Sequence, residues 1–398
     1  MFKSKVPQRK IMAVAIILLW FSNYIYVPFL STYAASAGAS LSMVGLIIGS
    51  YGLIQMLLRI PIGILSDTIK NRRLFLFSAM FSSLLSGIGF YFFSSPVLLL
   101  FCRALAGLSV SNWAIYITTF SAFANDQSNS KAIGTVNSLN AIGTISAFIL
   151  GGIVAQYIDV RTTFLITIIA SSLGILLMLF VEETYQQKED SKKMSINDLS
   201  IVIKDPKLLF YSGIALLFQF IAASSINAFV PTLFSEAGAS EFQKSLGTTL
   251  ATLPMIFAGP LSVGLFSKKF GPNLTSIISF IIISLPMFFF SFTKNITVLL
   301  ALQFLAGIGN GLLMSLLMSR ATSHFPEETR STAISIYQAV YSIGMFIGPA
   351  ITGVISTTFS LQAAFICLGL IGISAIIVLL VYNPPEKDAA GITDELSA

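Results

Sequence analysis

Twelve apolar segments, each long enough to cross a lipid bilayer as a helix, constrain the fold of this 398-residue chain more than any other feature. An α-helix needs about 20 apolar residues to span the hydrocarbon core, where it must bond its own backbone polar groups. Only 10% of the residues are charged, against about 25% in soluble domains. We therefore predict an all-α membrane protein with twelve transmembrane helices. The predicted spans are 11–33, 41–65, 73–93, 96–120, 131–157, 160–182, 207–234, 243–267, 272–293, 296–320, 330–357 and 360–382.

The basic residues predict which side of the membrane each loop faces, because Lys and Arg are enriched in cytoplasmic loops. With an even number of spans, both termini lie on one side. If that side is the cytoplasm, most of the 23 Lys and Arg residues are cytoplasmic, and the outer segments contain only Arg161, Lys244 and Lys294. We expect a multi-pass protein in the lipid of the plasma or bacterial inner membrane, with both termini cytoplasmic. The net charge of +6 then reflects orientation and does not predict a nucleic-acid partner.

An internal repeat divides the chain into two halves. The pattern Val-Pro-x-Leu at 27–30 recurs at 230–233, Ala-Gly-Ala-Ser at 37–40 recurs at 237–240, and Leu-Ala-Gly at 105–107 recurs at 305–307. Since both halves have six spans and the same orientation, we predict two pseudo-symmetric six-helix bundles. The predicted domains are an N-terminal bundle at 1–185, a cytoplasmic linker at 186–206 with a short amphipathic helix at 194–204, a C-terminal bundle at 207–385 and a cytoplasmic tail at 386–398.

The loop between predicted helices 2 and 3 carries the most specific motif, Gly-Ile-Leu-Ser-Asp-Thr-Ile-Lys-Asn-Arg-Arg at 63–73. It resembles the inner-loop signature of the major facilitator superfamily, with departures at positions 68, 70 and 71. The resemblance implies the fold of that superfamily and a cytoplasmic gate formed by Gly63, Asp67, Arg72 and Arg73, in which a carboxylate–arginine pair holds the inner side shut. The alternative is that the two arginines only anchor the topology.

Arg103 and Gly107 in predicted helix 4 are similar to an Arg-x-x-x-Gly pattern in the drug/proton antiporter-like twelve-helix branch of that superfamily. The resemblance links Arg103 to proton coupling, and a charge inside the membrane is costly enough to favour a function. Outward snorkelling of Arg103 remains open. The Gly-Pro pattern of this branch stands at 348–349 in helix 11, whereas helix 5 has Ala-Phe at 147–148 in its place.

Polar and aromatic side chains at mid-helix depth are the candidates for a substrate site, which alternating access places between the halves. Asn23 and Asn227 are nearly repeat-equivalent, and Asn112 and Tyr116 are predicted to share one helix face. Each candidate is also compatible with a bond between helices. Together they indicate a mostly neutral cavity rich in amides and aromatic rings. The substrate-binding candidates are Asn23, Gln55, Asn112, Trp113, Tyr116, Asn137, Asn140, Gln219, Asn227, Asn310, Gln338 and Tyr341.

All 17 Asp and Glu residues lie in loops or at helix ends, so the sequence predicts no carboxylate at mid-depth. A proton-coupled transporter usually has a titratable group in its pathway. The coupling candidates are therefore Arg103 and two acidic residues near outer helix ends, Asp159 and Glu236, although a solvated loop charge is the simpler interpretation of both. We expect protons as the coupling ion.

These features favour a secondary transporter over other classes of membrane protein. The single histidine, His324, lies in a loop and both cysteines lie in apolar segments, so we expect neither an enzyme nor a metal site. No phosphate-binding loop occurs, and no cofactor is expected. We predict a monomer that exports an amphipathic or neutral small molecule by alternating access, driven by an ion gradient. Proton-coupled uptake of a small metabolite is the alternative, and a receptor or scaffold is a more distant one.

Overall fold

The computed structural model describes residues 7–123, 129–183 and 202–382. Within these ranges twelve helices are long and apolar enough to cross a membrane and no strand occurs, which confirms the predicted fold class. The helices are α1 Gln8–Ser36, α2 Leu41–Ser66, α3 Arg72–Phe92, α4 Pro96–Ala122, α5 Gly134–Tyr157, α6 Val160–Met178, α7 Pro206–Glu236, α8 Glu241–Phe270, α9 Pro272–Phe290, α10 Ile296–Thr322, α11 Thr332–Thr358 and α12 Leu361–Val381. Three of them continue beyond these apolar bounds, as Leu41–Ile69, Asn129–Tyr157 and Glu327–Thr358.

The predicted linker lies mostly outside the described residues, and the predicted tail at 386–398 lies wholly outside them. The amphipathic helix at 194–204 and the domain boundaries therefore stay predictions.

The two halves use the same turn to join their first two helices. Gly38 after α1 and Gly238 after α7 have φ angles of 89° and 75°, a left-handed conformation that glycine adopts without steric penalty. Ser40 and Ser240 then accept a hydrogen bond from a backbone N–H in the first turn of α2 and of α8, which caps these helices. The repeated Ala-Gly-Ala-Ser pattern is thus a repeated helix end and helix start.

The first helix of each half is interrupted at a similar depth. Helix α1 is broken between Tyr24 and Val27, and α7 widens into a π-helical turn at Ala223–Phe229. A proline, Pro28 or Pro231, follows shortly after each interruption. A proline has no backbone N–H and its ring clashes with the preceding turn, so a regular α-helix cannot continue there.

Glycines bring helices within one half into backbone contact. Gly143 of α5 lies against the backbone of Ile17 in α1, and Gly344 of α11 lies against the backbone of Leu216 in α7. A side chain at either glycine would overlap the neighbouring carbonyl oxygen. The same close approach therefore occurs at equivalent places in both halves.

Two pairs of helices make the most extensive contacts between the halves, α2 with α11 and α5 with α8. Gly45, Gly49 and Gly52 lie on successive turns of α2 and pack against residues 345–350 of α11. At the second pair, Gly152 of α5 packs against Ser245 of α8. Small residues let all of these turns approach closely, so the halves are sealed along this part of their boundary.

The seal lies toward one face of the bundle. We call the side on which α1 begins and α12 ends the N/C face, and the other side the opposite face. At the opposite face, Ser42 Oγ of α2 lies 2.9 Å from Thr357 Oγ1 of α11. Toward the N/C face, α2 reaches Gly63, where no described atom lies within 4 Å of the place where a Cβ would stand. The glycine contacts between α2 and α11 therefore end before the N/C face. We infer that the halves part there and leave a cleft between them.

Candidate functional site

Arg59 of α2 joins the two halves at the depth where they part. Its guanidinium group donates to Gln338 Oε1 at 3.0 Å and to the Tyr341 hydroxyl oxygen at 3.3 Å, both on α11. A third bond of 2.6 Å goes to Gln55 Oε1, one turn earlier on α2. Arg59 is only 8% exposed, whereas Gln338 is half-buried. Three predicted substrate candidates therefore meet at one cation, and we call these four residues the Arg59 cluster.

Arg103 of α4 is buried inside the first half, with 3% of its surface exposed. Its Nη1 donates to the Tyr26 hydroxyl at 3.1 Å, and its guanidinium carbon lies 4.2 Å from the centre of the Tyr51 ring. A guanidinium group over an aromatic face gains a cation–π attraction. The Tyr51 hydroxyl in turn lies 3.4 Å from that of Tyr24. Arg103 therefore does not snorkel outward, and its role in coupling stays a prediction.

Asn23 and Asn112 are buried amides whose oxygen atoms are unused. Asn23 Nδ2 donates to the Leu19 carbonyl at 2.8 Å and to Ser109 Oγ at 3.1 Å, while Asn112 Nδ2 donates to the Leu108 carbonyl at 3.0 Å. Neither Oδ1 atom has a hydrogen-bond partner in the part of the chain that the structure describes. A buried acceptor without a partner is costly, so either oxygen can accept a bond from a bound molecule at a gain.

The register between the halves separates Asn23 from its predicted equivalent. The two left-handed glycines, Gly38 and Gly238, place equivalent positions 200 residues apart. In that register Asn227 lies about one helical turn from the position that matches Asn23. Asn227 is half-buried and lies within the π-helical turn of α7. The two amides therefore lie at different depths. The Val-Pro pattern near them is itself shifted along α7 relative to the register set by the two glycines.

Helix α4 is interrupted at Asn112, where the segment Pro96–Ser111 ends and Trp113–Ala122 begins. Asn112 directly precedes the second segment, and the Tyr116 N–H still bonds the Asn112 carbonyl oxygen at 3.4 Å, so the i,i+4 relation between these two residues is kept. The Tyr116 hydroxyl donates to the Leu76 carbonyl of α3 at 3.1 Å, inside the first bundle. Trp113 packs edge-on against Trp20 of α1, with ring centres 5.0 Å apart.

The two substrate candidates of α5, Asn137 and Asn140, have different surroundings. Asn137 is exposed, whereas Asn140 is half-buried and its Oδ1 accepts a bond from Thr144 Oγ1 at 3.1 Å. Both residues lie between the α5–α8 seal and the N/C end of α5. Asn137 and Asn140 therefore lie at the level where the halves have parted.

Two amides of the second half donate to methionine sulfur atoms. Gln219 Nε2 of α7 lies 3.6 Å from Met314 Sδ, and Asn310 Nδ2 of α10 lies 3.3 Å from Met255 Sδ. A thioether is a weak acceptor. These donors are therefore held in place while remaining available to a stronger acceptor.

The two acidic coupling candidates lie at the opposite face and are exposed. Asp159 accepts a bond of 2.6 Å from the backbone N–H of Thr162 and caps α6. Glu236 is the last residue of α7. A capping role accounts for Asp159, and coupling through either residue stays a prediction.

The predicted gate loop is anchored to the first half through Arg73. Its side chain donates to the carbonyls of Met178 and Leu179 at 2.9 Å and 2.6 Å, at the end of α6. Its backbone N–H donates to a carboxylate oxygen of Glu183 at 3.1 Å. The Asp67 side chain lies outside the described residues, so the predicted pair between Asp67 and an arginine stays a prediction.

Two polar groupings were not among the candidates predicted from the sequence. One is the set of hydrogen bonds made by Arg59, and the other is the pair of His324 and Asp205 at the N/C face. His324 Nε2, at the end of α10, lies 3.1 Å from Asp205 Oδ1, which also caps α7 by accepting from the Leu208 N–H at 2.6 Å. The signal for Arg59 in the sequence is Gln55, four residues earlier and therefore on the same helix face. No comparable spacing joins His324 to Asp205, which is far away along the chain.

An apolar cavity of about 450 Å³ lies among α8, α9 and α10. Phe257, Leu261, Ile278 and Phe304 are among its walls. Its lining residues all belong to the second half, so this cavity is separate from the cleft. Within the described ranges, no group of three or more His, Cys, Asp or Glu residues could hold a metal ion.

Two equivalent six-helix bundles that part around a shared cleft define the class of polytopic membrane transporters with a two-fold internal repeat. The chain belongs to the Major Facilitator Superfamily, whose family model matches residues 12–233 and 212–396. It is therefore a membrane transport protein and not an enzyme.

Relatives in this family differ in what their names say they move. The synaptic vesicular amine transporter of Rattus norvegicus is 24% identical over 356 residues, which covers 87% of this chain and 67% of the relative. A probable sugar efflux transporter of Helicobacter pylori (strain J99 / ATCC 700824) is 26% identical over 367 residues, which covers 89% of this chain and 90% of the relative. The crystal structure of the nucleoside transporter NupG superposes with a TM-score of 0.79 at 13% identity, over 94% of this chain and 99% of NupG, and shows the shared fold alone.

Proposed function

We propose that the chain exports an amphipathic small molecule across the cell membrane by alternating access, driven by an ion gradient. The observation that supports this proposal is the cleft between the halves, which is sealed at the opposite face and parts toward the N/C face. With the termini in the cytoplasm, as the basic loops predict, the cleft admits a molecule from the cytoplasm. Rocking of the halves then delivers it to the other side.

Export is the direction that the family context favours. A relative at 26% identity is named as a sugar efflux transporter, and the Arg103 and Gly107 pattern resembles that of antiporters. Protons are the proposed coupling ion. Since the described spans contain Asp or Glu only at their ends, the proposed coupling residues remain Arg103, Asp159 and Glu236.

Everted membrane vesicles test direction and coupling together. Vesicles from cells with and without the protein receive dansylglycinamide, a fluorescent amphipathic probe, and an imposed pH gradient with the acid side in the lumen. We expect accumulation in the lumen that requires the protein and collapses when a protonophore is added. A flux unaffected by the gradient would exclude proton coupling, and the absence of any protein-dependent flux would contradict export of such compounds.

A growth comparison separates export from uptake in whole cells. Cells that lack the protein are exposed to a panel of amphipathic toxic compounds and, separately, to single nutrients. Increased sensitivity to members of the panel supports export. A growth defect confined to one nutrient supports proton-coupled uptake in its place.

A further inference from the structure

We propose that the Arg59 cluster binds a carboxylate of the transported compound, so that the substrate is an amphipathic organic anion. This inference rests on the proposed transport function and deepens it, because it replaces the mostly neutral substrate expected from the sequence with a charged one.

The first reason is charge. Arg59 and Arg103 are both buried, and their hydrogen-bond partners among the described residues are uncharged oxygen atoms. A buried charge is costly unless an opposite charge pairs with it. Among the described spans the only Asp and Glu residues are Glu236 and Glu241, both at helix ends, so these spans supply no carboxylate partner for either guanidinium group at mid-depth. An anionic ligand supplies one, whereas a cationic amine would find no carboxylate there.

The second reason is the hydrogen-bonding character of the cluster. The oxygens of Gln55, Gln338 and Tyr341 all accept bonds from Arg59. Gln338 is left with its amide NH₂ group and Tyr341 with its O–H, and both of these are donors. Gln55 uses its own NH₂ on the Tyr51 carbonyl at 3.4 Å. The groups that remain for a ligand are therefore donors from α11 and from Arg59 itself, and a carboxylate is a group that only accepts.

The third reason is geometry. A guanidinium group presents its N–H bonds as a planar fork that matches the two oxygens of a carboxylate. Arg59 lies about 27 Å along α2 from Leu41 and about 15 Å from Ile69, at 1.5 Å per residue. The seal lies on the Leu41 side and the open position at Gly63 lies on the Ile69 side. The cluster is therefore at the closed end of the cleft, where a molecule entering from the N/C face stops.

The cluster is assembled from both halves, which couples binding to the conformational change. Arg59 comes from α2, and Gln338 and Tyr341 come from α11. Opening the opposite face requires α2 and α11 to separate, and this movement takes Arg59 away from its two partners. An anion is then held by fewer donors and leaves more easily. The site is therefore complete while the protein is open toward the N/C face and incomplete once it is open toward the opposite face.

Fluorescence of the full-length protein in lipid nanodiscs provides a binding test. The sequence has two tryptophans, Trp20 and Trp113, which contact each other in the first half. Energy transfer from them to a dansyl group reports binding. The probes are dansylglycine, an anion at neutral pH, its neutral amide dansylglycinamide, and the cation dansyl-ethylenediamine. We expect dansylglycine to bind about tenfold or more tightly than the amide, as one charge-assisted interaction allows.

Three variants test whether the preference for the anion over the amide depends on Arg59. We expect Arg59→Gln to reduce the ratio of the two affinities to about twofold or less while dansylglycinamide still binds, which shows that the variant is folded. Arg59→Lys keeps the charge without the planar fork and should retain part of the preference. Arg161→Gln removes one positive charge from an exposed residue at the opposite face and serves as the matched control. It should leave the ratio unchanged.

Failure of this inference is distinguishable from failure of the proposed function. Absence of saturable dansylglycine binding, equal affinity for the anion and the amide, or a preference that survives in Arg59→Gln would each overturn the carboxylate site. Gradient-driven flux of the amide without anion preference overturns the site while the transport proposal stands. Saturable, Arg59-dependent binding of dansylglycine without flux in vesicles supports the site and contradicts the proposed export of these compounds.

Discussion

Gly353 of α11 lies directly against the main-chain carbonyl of Leu41, at the point where α2 begins. A Cβ at this position would overlap that carbonyl oxygen and come within contact of Ser42 Cα. Because both neighbours are backbone atoms, they cannot move aside as the end of a flexible side chain would. A side chain at position 353 would therefore force the start of α2 and the end of α11 apart and disfavour closure of the opposite face.

Gly353→Val should shift the protein toward a state open at the opposite face. With Cys102 and Cys367 replaced by alanine, a reporter cysteine at Ser42→Cys should react several-fold faster with a membrane-impermeant maleimide in the valine variant. Gly264→Val is the control, since no described atom lies within 4 Å of a Cβ there. Equal labelling rates in both variants would show that this contact does not determine closure.

A reversible cross-link between α2 and α11 should stop transport. Ser42 Oγ and Thr357 Oγ1 are 2.9 Å apart, close enough for cysteines at both positions to form a disulfide after small adjustments. We expect the oxidised double variant Ser42→Cys, Thr357→Cys to lose dansylglycinamide flux in vesicles and to recover it on reduction. Each single variant should remain active in both conditions. Full flux in the cross-linked protein would contradict alternating access through these helices.

Arg103→Gln should uncouple flux from the gradient. The substitution removes the bond to Tyr26 and the charge over the Tyr51 ring, and leaves a shorter, uncharged polar side chain. If Arg103 couples, gradient-driven accumulation falls about tenfold or more, as loss of one charge-assisted interaction allows, whereas exchange of probe at equal concentrations continues. Tyr26→Phe keeps the cation–π contact with Tyr51 and should have a smaller effect. A parallel loss of both fluxes would assign Arg103 to binding or folding.

Asp205 should stabilise the second half mainly as a helix cap. Asp205→Asn keeps an oxygen for the Leu208 N–H but removes the charge beside His324, while Asp205→Ala removes both interactions. Thermal unfolding in detergent should show the alanine variant less stable than the asparagine variant by about 1 kcal/mol, the usual worth of a cap. Lys204→Gln, a neighbouring exposed position, should be unchanged. Equal losses in the two Asp205 variants would favour the ion pair as the main contribution.

The helices and the repeat were predictable because they depend on local composition. A long run of apolar residues identifies a membrane-spanning helix directly. In lipid such a segment must form a helix, because only then are its backbone polar groups hydrogen-bonded within the segment. The Ala-Gly-Ala-Ser repeat could be recognised because a left-handed glycine and a capping serine have fixed positions at a helix end and a helix start. These signals place every span to within a few residues.

The candidate site was only partly predictable because it depends on register between distant helices. Gln55, Gln338 and Tyr341 were recognised as polar residues at mid-depth, and Gln55 shares a helix face with Arg59. Nothing local indicates that Arg59 also reaches Gln338 and Tyr341, which are 279 and 282 residues away along the chain. The sequence of a span with a single arginine is equally consistent with a side chain that snorkels to the membrane surface and with one that lies between the bundles. Tyr116 shows the opposite difficulty, since this predicted cleft residue donates to the Leu76 carbonyl inside its own bundle, and nothing in the local sequence indicates that partner.

The wide turn at Ala223–Phe229 has a consequence for the wall of the cleft formed by the second half. A π-helical turn contains one residue more than the α-helical hydrogen-bond pattern would place there. If the surplus residue migrates along α7, each position that it passes rotates by about 100° around the helix axis, while both ends of the helix keep their places. A shift of the π-helical turn by one residue would in this way turn the Asn227 side chain toward the cleft or away from it. Neither bundle would have to move as a whole.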